Sequence, residues 1–193
     1  MPLSQRMYYR RLRRKLSRLL EALALNQQRR FYLLAVLIGG LSGLSAVAFH
    51  QSIHWAEENW IHRVAELSGG WSIVALILMP TVGGLIVGYM IKHWAPEAAG
   101  SGIPQTKAAY YLKFGRIRFR AALSKFILGT ISIGSGASLG REGPTVQLSA
   151  ALASSVGRWF GLAPRQVMSL IPLGCAGGIA AAFNTPLAAI VFA

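Results

Sequence analysis

The chain has 193 residues, 53% of them hydrophobic, and carries 20 Lys or Arg against six acids, a formal net charge of +14. With only 13% charged residues it has too little polar surface to cover a soluble core, and it is far too apolar for a disordered basic tail. Every acid is Glu, and the single cysteine, Cys175, excludes an intrachain disulfide framework.

Residues 1–30 hold nine Lys or Arg and one acid, Glu21. Leu12, Leu16, Leu19, Leu20 and Leu23 recur at helical spacing, which predicts a basic amphipathic helix lying on anionic lipid at the cytoplasmic face. Nucleic-acid binding is the other use of such a segment, but no aromatic or nucleic-acid motif accompanies the arginines. The segment is therefore expected to be an N-terminal unit distinct from residues 31–193.

Beyond it, charges cluster and leave long gaps: 26 uncharged residues between Arg30 and Glu57, 25 between Glu66 and Lys92, and 28 from Gln166 to Ala193. About 20 apolar residues cross the hydrocarbon core as a helix, so each gap predicts a membrane-spanning or membrane-filling helix. Ala46-Val47-Ala48 has the look of a signal-peptide cleavage site, but the apolar run from Phe31 to Phe49 is too long for a signal core and its basic leader too extended. No alternating ten-residue strands separated by turns appear, so the expectation is an all-α polytopic membrane protein. The acidic stretch 57–66 is expected outside. Lys92, the polar stretch Lys107 to Lys125 and the loop flanked by Arg158 and Arg165 are expected inside, which places 18 of the 20 cations on the cytoplasmic face. Glycine pairs at spacing four, Gly39/Gly43, Gly84/Gly88, Gly136/Gly140 and Gly174/Gly178, predict close helix packing.

Two glycine-rich pentamers ending in proline carry the functional signal: Gly100-Ser101-Gly102-Ile103-Pro104 and Gly140-Arg141-Glu142-Gly143-Pro144. Proline suits the first turn of a helix and glycine suits the irregular backbone before it, so each pentamer predicts a helix N-terminus. The second interrupts the apolar region 126–157 and predicts a discontinuous helix. Helix N-termini present free N–H groups and a partial positive charge, so two of them meeting in the membrane would form an anion site without a full cation. Ser101 either adds a hydroxyl donor there or only caps its own helix. Glu142 is costly in apolar surroundings; it either pairs with Arg141 or occupies the anion site when ionised and leaves it when protonated, as a gate and proton carrier. Asn184 before Thr185-Pro186 predicts a break in the last apolar stretch.

These residues resemble the CLC chloride channels and proton-coupled chloride antiporters. GSGIP at 100–104, GREGP at 140–144 and GxAAAFNTPLA at 178–188 occur in the family's order with similar spacing, and the likeness covers roughly residues 31–193. It implies a broken-helix fold of two inverted halves, of which this chain resembles the first, so a partial transmembrane domain from a longer product is expected. It further implies a homodimer in the inner or plasma membrane with one chloride pathway per subunit. Ser101 would be a central chloride ligand and Glu142 the external gate and proton-transfer group. Backbone N–H groups near Gly102, Ile103 and Gly143 would complete the site. Gln105 stands where many relatives carry Glu, and Ser101 favours chloride where nitrate-preferring relatives often have proline. Channel and antiporter remain open alternatives, since the external glutamate occurs in both. A lipid- or partner-binding scaffold is the alternative of a different class. No enzyme activity, metal, cofactor or nucleic-acid partner is expected: His50, His54, His62 and His93 are not spaced as a metal site and read as interfacial.

Overall fold

The computed structural model describes residues 27–66 and 71–193, so most of the basic helix expected over 1–30 lies outside the described residues. Among the described residues there is no strand. The first helix, α1 (Gln27–Glu57), starts before the expected boundary at 30/31 and continues through a π-helical turn, Glu58–His62, into a short helical turn at Arg63–Ala65. Ala46-Val47-Ala48 lies in the middle of α1, with Ala46 buried against the core. Next come α2 (Trp71–His93), a 3-10 turn at Pro96–Ala98 and α3 (Ile103–Leu112). The remaining helices are α4 (Phe119–Gly134), α5 (Glu142–Trp159), α6 (Pro164–Phe183) and α7 (Pro186–Phe192).

Among the described residues, three segments are long and apolar enough to cross a membrane: Gln28–His62, Trp71–His93 and Pro164–Phe183. They coincide with the three uncharged gaps. α2 is the most peripheral, with only Gly83 buried while Ile73, Ile77, Leu85 and Tyr89 are exposed, as a lipid-facing helix requires. The apolar region 126–157 is indeed interrupted, since α4 stops at Gly134 and the chain runs irregularly to Glu142 before α5 begins. The last stretch breaks where expected. Asn184 adopts a left-handed conformation (φ 53°) that ends α6, and Pro186 opens α7. Asn184 acts there through its backbone, and its side chain is exposed.

The core is organised around α5, which is buried along most of its length and packs on α6, α4 and α1. Its Ala, Ser and Gly side chains are small, so neighbouring backbones come close and gain dispersion contacts where lipid supplies no hydrophobic drive. On α6, Gly174 faces Ser149 and Ala153 of α5, while Gly177 lies directly against the Gly39 backbone of α1. The other expected pairs behave differently. Gly84 and Gly88 meet nothing within 4 Å, and Gly136 and Gly140 lie in the irregular link between α4 and α5.

The stretch from Lys107 to Lys125 is not a single polar loop. Only residues 113–118 connect α3 to α4, and Lys125 sits inside α4 with 5% exposure. It therefore leaves the set of cations expected at the cytoplasmic surface. Its charge is needed inside the fold.

Candidate functional site

The first pentamer is an irregular bridge between the turn at 96–98 and α3. Gly102 precedes α3 with φ 108°, a conformation closed to L side chains. Its N–H donates to Gln105 Oε1 at 2.9 Å, and its carbonyl accepts from the Thr106 N–H at 3.0 Å and the Thr106 hydroxyl at 2.9 Å. Gly102 thus contributes shape, because its own N–H is already used by the cap. From α4, Lys125 Nζ donates to Ala98 O at 2.8 Å and Gly100 O at 2.5 Å. A buried ammonium needs acceptors, and these carbonyls take two of its three N–H donors while fixing the bridge that carries Ser101.

The second pentamer opens α5. Arg141 is the residue before the helix, and its carbonyl accepts from the Thr145 N–H at 3.1 Å and the Thr145 hydroxyl at 2.8 Å. Helix α5 begins at Glu142, two residues ahead of Pro144, and α3 begins at Ile103, one ahead of Pro104. Both prolines fall within the first turn, where a missing N–H costs nothing. The N–H groups of Glu142 and Gly143 belong to that turn and have no intrahelical acceptor, so they face outward with the positive end of the helix dipole.

The pentamers meet main chain to main chain. A side chain on Gly143 would strike the Ser101 carbonyl, and one on Gly102 would lie 2.6 Å from the Gly143 carbonyl. Around this junction lies a cavity of 390 Å³ lined by Gly100, Ser101, Ile103, Gly140, Glu142, Gly143 and Pro144, with Lys125 and Ser132 in its wall. A second cavity of 320 Å³ contains His50, His54, Glu57, Arg141 and Glu142. Glu142 therefore lines both. Its carboxylate folds back into space that a side chain on Gly140 would occupy. Among the described residues it has no hydrogen-bond or ion-pair partner.

The alternative use of Glu142, pairing with Arg141, is not made. The guanidinium turns the other way, with Nη1 2.5 Å from His50 Nδ1 on α1. Of the residues singled out in the sequence, Gly100, Ser101, Ile103, Gly140, Glu142, Gly143 and Pro144 are brought into one cavity. Gly102 is buried behind it, Pro104 is exposed on α3, and Arg141 lines only the second cavity. Lys125 and His50 were missed as site residues. Lys125 reads in sequence as the last member of a basic run, and only the structure places it six residues into α4. His50 meets Arg141 across 91 positions of sequence, which no local pattern reveals.

Residues 83–193 match the family described as voltage gated chloride channel. The H(+)/Cl(-) exchange transporter ClcA of Klebsiella pneumoniae (strain 342) is 39% identical over 166 residues, covering 83% of this chain and 34% of that protein. ClcA of Vibrio vulnificus (strain YJ016) is 39% identical over 169 residues, covering 82% and 35%. The crystal structure of a slow cyanobacterial Cl-/H+ antiporter superposes with a TM-score of 0.70 at 27% identity, covering 86% of this chain and 39% of that one. The chain spans about a third of the length of the curated relatives it matches. With its all-helical fold, interrupted helices and both pentamers at helix N-termini, the chain belongs to the voltage-gated chloride channel family, the CLC proteins.

Proposed function

We propose that the protein moves chloride across a bacterial inner membrane in exchange for protons, with the anion held at the helix ends beside Ser101 and gated by Glu142. The observation that carries this is the position of Glu142: an unpartnered carboxylate at a helix N-terminus, in the wall shared by two cavities. Ionised, it competes with an anion for the N–H groups of α5. Protonated, it loses that attraction and turns aside, so one group opens the path and carries a proton. The relatives' names, as H(+)/Cl(-) exchange transporters, favour exchange over a passive channel. Ser101 supplies the hydroxyl donor, Ile103 and Gly143 the main-chain donors, and Gly102 the turn that lets the pentamers touch.

In this arrangement the basic segment 1–30 is a cytoplasmic unit beside the transmembrane residues 31–193, the 57–66 turn faces outside, and subunits pair as homodimers. In liposomes, a pH gradient should drive chloride uptake by the full-length protein. Glu142→Gln should abolish that uptake while leaving chloride to run down its own gradient. Ser101→Ala, which removes one hydrogen bond to an anion worth about 1.5–3 kcal/mol, should weaken apparent chloride affinity by about ten- to a hundredfold. Intact proton-driven uptake in Glu142→Gln would overturn the proposal.

A further inference from the structure

The second cavity has a chemistry of its own. His50 and His54 sit one turn apart on α1, with their rings edge to face at 4.9 Å, and His54 Nδ1 lies 3.9 Å from Glu57 Oε2. Arg141 reaches His50 from the start of α5, with Nη1 2.5 Å from Nδ1 and 3.3 Å from Nε2. A guanidinium has only donors, so the short contact requires a lone pair on His50 Nδ1 and the remaining proton on Nε2. Protonation of His50 would place an N–H where the acceptor was and set one cation against another. Arg141 cannot then stay.

We infer that His50 is a proton-sensitive positioning residue: neutral, it holds Arg141 away from Glu142, and protonated, it releases the guanidinium toward the anion path. The inference rests on the proposed role of Glu142 as the gate. The Arg141 backbone is fixed by its carbonyl, which accepts from Thr145, so release moves the side chain and not the helix. The groups facing His50 are His54 and Glu57 from α1, and Arg141 and Glu142 from the start of α5. From α4, the link before α5 and α6, the lining residues are Ile133, Leu139, Gly140 and Phe183, none of which titrates. Glu57 is already beside His54, so the carboxylate left to attract a freed Arg141 is Glu142, or an anion that has displaced it. Both charges then add to the positive end of α5. Anion binding from this side strengthens as falling pH protonates His50.

The test uses the full-length protein carrying Glu142→Gln, which removes the titration of the glutamate itself. Unidirectional chloride flux is measured in liposomes against chloride concentration on the Glu142 side, over a pH series from about 7.5 down to about 4.5, wide enough to take the imidazole from neutral to protonated. The half-saturating chloride concentration should be about threefold or more lower at the acid end, as expected for charge added beside a helix N-terminus. Adding His50→Gln, whose amide oxygen accepts from Arg141 throughout the series, should reduce the difference to less than about twofold. Adding His54→Gln instead should leave most of it. If His50→Gln does not reconstitute, Arg141→Gln in the same background should abolish the difference equally. An unchanged pH dependence with His50→Gln or Arg141→Gln, or its loss with His54→Gln alone, overturns the inference. Failure of the gate itself would show separately, as proton-driven uptake surviving Glu142→Gln alone.

Discussion

At the scale of single residues, Lys125 shows how a charge can be structural inside a membrane protein. Its ammonium holds the carbonyls of Ala98 and Gly100, and through them the backbone on which Ser101 rides. Lys125→Met keeps the aliphatic stem but leaves both acceptors without their donor, at about 1–3 kcal/mol for the buried Ala98 carbonyl and less for that of the exposed Gly100. The variant should melt at lower temperature in detergent and bind chloride more weakly by calorimetry. Unchanged melting and binding would show that water replaces the ammonium at no cost. The sequence made Ser101 and Glu142 legible because glycine, proline and a lone carboxylate in an apolar run each break a local rule. Lys125 and His50 break none, since a lysine next to a basic linker and a histidine near a helix end look ordinary until the third dimension brings Gly100 and Arg141 to them.

At the scale of helices, uncharged length was a sufficient guide to α1, α2 and α6, and paired glycine-proline signals to the starts of α3 and α5. Packing partners were less legible, because a glycine pair at spacing four looks the same whether it faces protein or lipid. Gly39 and Gly177 bring α1 and α6 into backbone contact, whereas Gly84 faces open space on α2. The two sites should therefore answer oppositely to the same change. Gly177→Ala overpacks a close crossing and should cost about 1–3 kcal/mol. Gly84→Ala adds helix propensity with nothing to strike and should be neutral or stabilising by up to about 1 kcal/mol. Thermal denaturation of the two variants side by side decides this, and equal losses would mean that α2 is packed on that face.

At the scale of the whole molecule, the charge asymmetry read from the sequence persists in space. Lys113, Arg116, Arg118, Arg158 and Arg165 line one large cavity of 1580 Å³ with Glu97 as the acid among its lining residues. Arg158 also binds the link between α3 and α4, with Nη2 2.6 Å from Ile117 O, so part of the basic cluster is mortar for the fold. The proposed orientation predicts that Lys113→Cys is reached by a membrane-impermeant maleimide only from the cytoplasmic side and Glu58→Cys only from outside. Cys175, the one cysteine in this chain, is buried and so does not compete for the label. Reversed labelling would invert the topology. Finally, the floor of the Ser101 cavity consists of two stretches of main chain locked at Gly102 and Gly143, where neither position admits a side chain. Anyone reshaping this pocket has no freedom in that floor, and must work through wall residues such as Ser132 and Leu139.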